Sequence, residues 1–246
     1  MTDWSALTDA CGSAEHVPGL LDRFEADPSG VWSELMDHLC PQLDTALTAG
    51  FAALPRLAEI ATGGSPKTLD WVLLAAGAIA SCAPGPADPD SPLVLFPASI
   101  AVLHELTDRR LRETAGGEDY VNLLQALLSF EGVEIWDRSL DGLRTGEYEV
   151  DCPSCGVNMF VVIGQDDDDC FCCTDDCALR EVQKFPLQPA RAQELSALAQ
   201  RLFTRAVADG QEGVARGVRY LFGRAACPDC GTGFSVAERV VAGWIP

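Results

Sequence analysis

Two copies of one five-residue pattern, Cys152-Pro-Ser-Cys155-Gly and Cys227-Pro-Asp-Cys230-Gly, constrain this chain more than any other feature. In each, the proline fixes φ, and the glycine is free to take the φ > 0 conformation that turns backbone amides toward the sulfurs. Paired turns of this kind present four thiolates to one tetrahedral centre, and they point to a single structural Zn2+ held by Cys152, Cys155, Cys227 and Cys230. A centre closed by four sulfurs leaves no position for water or substrate, so it identifies a stabilised fold and not a reaction. A Cys-Pro-x-Cys pair can also be a redox dithiol at a helix N-terminus. Here each pair is followed by glycine and no amphipathic helix, which argues against that alternative.

The flanks read as short strands. Glu147-Tyr-Glu-Val150 leads into the first turn, Val157 to Ile163 leaves it, and Gly233-Phe-Ser-Val236 follows the second. This arrangement resembles a zinc ribbon over about 147–164 and 226–240, which implies a small β domain spanning 147–246 and split by an insertion of about 165–225. Within the insertion, Leu195, Leu198, Ala199, Leu202, Phe203 and Ala206 form one stripe of a helix expected over Pro189–Asp209, and a second helix is expected over Gln211–Phe222.

Residues 1 to 146 read as entirely helical. Val31, Leu35 and Leu39 recur at i, i+4 and i+8 behind Asp27-Pro-Ser-Gly, and Leu54, Leu57 and Ile60 mark a short helix closed by Thr62-Gly-Gly. Trp71, Leu74, Ala75, Ala78, Ile79 and Cys82 define a third whose small residues allow close helix contact. Further helices are expected from Ile100 to Glu113, from Tyr120 to Phe130 and from Asp137 to Leu143. The segment Phe51–Ala61, with its internal Pro55, followed by a glycine-rich turn and the alanine-rich Trp71–Ala80, resembles a HEAT-type helical hairpin. That resemblance implies a solenoid-type domain over 1–146, with a compact irregular bundle as the alternative. The fold expected is therefore mainly α: a HEAT-like helical domain followed by a small β zinc ribbon with a helical insertion. The stretch Asp27–Cys82 is also similar to a set of uncharacterised bacterial proteins that end in the same split ribbon, a similarity that carries no activity with it.

A second cysteine group, Cys170, Cys172, Cys173 and Cys177, follows Asp166-Asp-Asp-Asp169. It reads as a second thiol or metal site, or as packing. Adjacent Cys172 and Cys173 in an extended strand face opposite sides, which counts against a site using all four. The aspartate run reads as a solvated loop tip, because calcium loops space their oxygen ligands. His16 reads as helix-entry chemistry and His38 as a core histidine. His104 pairs with neighbouring charges, and Cys11, Cys40 and Cys82 read as packing.

No phosphate-binding, nucleophile-elbow, zinc-protease or dinucleotide motif is present. A net charge of −20 opposes the electrostatics of nucleic-acid binding, although Arg216, Arg219 and Arg224 form a candidate basic patch. The longest apolar run, Trp71–Ala83, is shorter than the roughly 20 residues that span a bilayer. Nothing near Met1 has the apolar character of a secretion signal, so a cytoplasmic location is expected. These features lead to the expectation of a non-catalytic interaction protein of the scaffold or immunity type. One structural Zn2+ and a basic protein partner go with that reading. A thiol- or metal-handling enzyme using Cys170–Cys177 and a nucleic-acid-associated ribbon are the alternatives.

Overall fold

The computed structural model describes residues 2–174 and 182–244. The chain divides into two compact units, one formed by Met1–Glu113 and Asn122–Arg138, the other by Thr114–Val121 and Ser139–Pro246. The fold is mainly helical, with small antiparallel sheets.

The first unit opens with a strand-level exception to an otherwise helical segment. Strands β1 (Thr8–Asp9) and β2 (Gly12–Ser13) form a two-residue hairpin, and Gly12 at φ +117° supplies the backbone geometry its tight turn needs. Helix α1 (Val17–Ala26) buries Val17, Leu20, Leu21 and Phe24, the i, i+3, i+4, i+7 stripe of an amphipathic helix. Asp27 ends α1 and starts α2 (Pro28–Leu39), where its carboxylate accepts a bond from the Gly30 N–H at 3.1 Å. Helix α3 (Thr48–Gly63) contains Pro55 and packs on α4 (Pro66–Ser81), which Ser65 caps through the Thr68 N–H. A short α5 (Pro92–Leu95) leads into α6 (Pro97–Glu113), and Arg110 of α6 makes a bidentate pair with Asp70 of α4 at 2.6 and 2.9 Å. Helix α7 (Gly117–Glu131) is followed by α8 (Trp136–Ser139). Gly77 of α4 lies against the backbone of Ala126 in α7, the close approach that small residues permit.

In the second unit, α9 (Asp141–Thr145) precedes β3 (Glu147–Asp151), β4 (Asn158–Ile163), β5 (Cys170–Cys173) and β6 (Phe185–Pro186), paired in that order as one antiparallel sheet. Strand β3 alternates exposed and buried residues, β4 after its exposed Asn158 alternates buried and half-buried ones, and all four residues of β5 are buried. Helices α10 (Ala197–Ala208) and α11 (Glu212–Leu221) pack together. Helix α10 starts at Ala197, capped by Ser196, and a short 3-10 turn at Ala192–Glu194 occupies part of the span read as helix from Pro189. Strands β7 (Arg224–Ala226) and β8 (Gly233–Ser235) close the second hairpin. The chain then turns at Val236 into α12 (Val236–Ala242), where the strand reading of Gly233–Val236 had no helix; Ser235 accepts from the Glu238 N–H to cap it. Cys177 lies outside the described residues.

Candidate metal centre

The two Cys-Pro-x-Cys-Gly turns adopt the same local geometry, because the same residues impose the same backbone. Cys152 N–H donates to Val157 O and Gly156 N–H to Cys152 O; Cys227 N–H donates to Thr232 O and Gly231 N–H to Cys227 O. Gly156 and Gly231 both sit at φ +73°, the left-handed conformation that a side chain would strain. The hairpins β3–β4 and β7–β8 carry the two turns, and they bring four sulfurs to within 4.8 Å of one another. Cys152 and Cys230 are 3.6 Å apart, and Cys155 and Cys227 are 3.8 Å apart. Cys152 and Cys227 are buried, while Cys155 and Cys230 lie at the surface.

The turns lower two of the four thiols, Cys152 and Cys230, while Cys227, pushed up by burial, and Cys155, which shares protons with the neighbouring cysteines, are raised in the metal-free centre. The N–H groups of Cys155 and Ser154 face the Cys152 sulfur and hold its pKa below the ordinary value. The Thr232 hydroxyl, 3.2 Å from the Cys230 sulfur, and the Thr232 N–H bring Cys230 down to about 6. These four residues can together hold a metal ion.

The second cysteine group is arranged differently. Cys170, Cys172 and Cys173 lie buried on β5 and belong to neither of the two ligand clusters among the described residues. Strand geometry sends Cys170 and Cys172 to one face and Cys173 to the other. The Cys172 sulfur is 3.9 Å from the Met159 sulfur, and burial pushes its thiol up to about 12. Asp166 to Asp169 form an exposed turn. Of the three arginines of the candidate basic patch, Arg216 bonds to Gly164 O, lies 3.3 Å from the Cys170 sulfur and pairs with Asp167; Arg219 bonds to Ala190 O at 3.0 Å; Arg224 is exposed.

Two clusters in the first unit escaped the sequence reading. His16 occupies the N-cap of α1 but makes no cap bond. Its Nε2 lies 3.1 Å from Asp9 Oδ2 and 3.2 Å from His38 Nδ1, and His38 Nδ1 lies 2.7 Å from the same Asp9 oxygen. The hairpin brings Asp9 there, tied to the end of α2 by Ala10 N–H to His38 O at 3.2 Å. The three residues are far apart in sequence, and no spacing motif links them. Cys40 and Cys82 also meet, sulfur to sulfur at 3.6 Å, and Arg138 donates to Cys82 at 3.2 Å. Sharing a proton with Cys40, with Arg138 beside it, brings Cys82 down to about 6, and the same sharing raises Cys40.

No protein-family model, curated protein or solved structure matches this chain.

Proposed function

We propose that Cys152, Cys155, Cys227 and Cys230 hold one structural Zn2+, and that the chain acts as a non-catalytic protein-interaction module binding a basic protein partner. The observation that carries the metal assignment is the length of the tetrahedron's edges. Zn–S bonds of about 2.3 Å require sulfurs about 3.8 Å apart; two of the six edges measure 3.6 and 3.8 Å, and all four sulfurs lie within 4.8 Å of one another. An all-thiolate donor set suits Zn2+, and it fills every coordination position, so the ion stabilises the ribbon-like pair of hairpins and leaves catalysis aside. The β7–β8 hairpin, with two three-residue strands and no third strand, buries too little surface to be stable alone, which gives the ion its purpose.

The interaction reading rests on charge and on helical packing. The α3–α4 hairpin, with Pro55 inside its first helix and small residues along its second, supports the HEAT-like comparison. A net charge of −20 favours a cationic protein over a polyanion. An immunity-like role, in which this surface occludes a basic toxin, is one specific form. Crosslinking capture at physiological salt, repeated near 1 M where the Debye length shrinks to about 3 Å, tests it. A basic partner released by salt supports the reading, while a partner retained at high salt, or none recovered, contradicts it. The thiol-enzyme alternative is disfavoured by the burial of Cys170, Cys172 and Cys173, and the nucleic-acid alternative by the internal bonds of Arg216 and Arg219.

A further inference from the structure

We propose that Asp9, His16 and His38 form a second metal site, which takes one divalent first-row transition-metal ion and keeps coordination positions open to water or a small anion. The three ligand atoms are mutually 2.7, 3.1 and 3.2 Å apart. Metal–nitrogen and metal–oxygen bonds of about 2.1 Å place ligands at right angles about 3.0 Å apart, and tetrahedral ones about 3.4 Å apart. The triangle matches one face of an octahedron, the two-imidazole, one-carboxylate arrangement that leaves the opposite face free.

Local chemistry explains little of this cluster without an ion. A helix N-cap favours Ser, Thr, Asp or Asn, and His16 fills that position without capping. The Asp9 side chain has no exposed surface, yet its ionic partners among the described residues are these two imidazoles, with no lysine or arginine. A buried carboxylate costs free energy unless its charge is matched. Two neutral imidazoles would have to aim both N–H groups at a single oxygen, whereas a cation uses three lone pairs at once. The other Asp9 oxygen accepts the Cys11 N–H at 2.8 Å, an outer bond of the kind that fixes a ligand's orientation. The His16 side chain is 45% exposed and that of His38 20%, so the open face points to solvent. This site differs in kind from the four-cysteine centre: nitrogen and oxygen donors, three ligands, an accessible ion able to activate water.

The test uses the full chain, reduced, stripped of metal and titrated with Co2+. Wild type should bind two equivalents, only one of which gives thiolate charge-transfer absorption. His16→Ala and Asp9→Asn should each lose the equivalent without that band, or weaken it at least tenfold, with the far-UV circular dichroism unchanged. Cys152→Ser should lose the charge-transfer band and keep the other equivalent, so failure of either site is read separately. His16 is half-exposed, so its replacement leaves the fold intact even if Asp9→Asn does not. If His16→Ala titrates like wild type, or wild type binds only the thiolate equivalent, the cluster is a hydrogen-bonded triad and the proposal fails.

Discussion

Gly77→Ala and Gly19→Ala make the same chemical change in two helices of the first unit, and the structure predicts opposite signs. Helix propensity alone favours alanine at both, by up to about 1 kcal/mol. Around Gly19, on the exposed side of α1, a Cβ would meet nothing within 4 Å, so the substitution should stabilise by about 0.4–1 kcal/mol. At Gly77 a Cβ would lie 2.6 Å from the Ala126 Cβ and 2.8 Å from its Cα. Ordinary carbon contacts are about 3.5–4.0 Å, so α4 and α7 must part by nearly 1 Å, and a gap of that size forfeits about a quarter to a half of each contact's attraction. The obstacle is backbone and a methyl group, with no flexible chain to swing aside. Overpacking costs about 1–3 kcal/mol, so the net effect should be destabilising by about 1–2 kcal/mol. Trp32 and Trp71 meet at 5.1 Å between ring centroids, with their planes tilted by 53°, in this unit and give a fluorescence signal for urea unfolding. With a slope of about 2 kcal/mol per molar urea, Gly77→Ala should lower the midpoint by roughly 0.5–1 M. A midpoint raised as in Gly19→Ala would refute the packing argument.

Three other outcomes follow from the site geometry. Cys82, with a pKa near 6, should alkylate with a half-maximal rate near pH 6 instead of about 8.5; its lower intrinsic nucleophilicity, a penalty of about tenfold at any pH, offsets most of the gain at pH 7 and about half of it, on a logarithmic scale, at pH 6. Arg138→Gln should move that midpoint upward, and a profile centred above pH 8 would contradict the Cys40–Cys82–Arg138 geometry. Burial raises Asp137 from 3.8 to about 6, so the folded state keeps a proton that the unfolded chain releases. Stability should therefore fall as pH rises from about 4 to 6 and stay lowered above, by at most about 3 kcal/mol; urea curves of Asp137→Asn across that window should be flatter, and an unchanged slope would count against it. Cys227→Ser should unfold the β7–β8 hairpin while the fluorescence transition of the first unit stays put, as hydrogen exchange on both units would show; loss of both together would mean that the centre's stabilisation is not local.

The parts of this fold that were legible are those whose cause is local. The two knuckles carry their geometry in proline and glycine, and Gly156 and Gly231 take the positive φ that their turns need. The stripe of α2 follows from periodic burial, whereas of the stripe read on α4 only Ala75 and Ile79 are buried, because Val72, Leu73, Ala76, Gly77 and Ala80 on the adjoining face take the core side; the small residues of that helix do make a close contact, at Gly77. What was not legible depends on tertiary docking. Asp9, His16 and His38 come from a two-residue hairpin, a helix start and a helix end, each unremarkable alone. The Cys40–Cys82 pair joins two helix ends for the same reason. Helix α12 had a local signal, the Ser235-x-x-Glu238 start pattern, which the apolar alternation before it obscured. Strand β5, buried throughout, has no alternation from which to read a face.

The most direct test of the four-cysteine centre is X-ray absorption at the zinc edge on the isolated His16→Ala protein, in which the nitrogen and oxygen site is disabled. The proposed centre requires one zinc per chain with four sulfur neighbours at about 2.3 Å. Zinc with nitrogen or oxygen neighbours, or a chain isolated without zinc and equally stable, would contradict it.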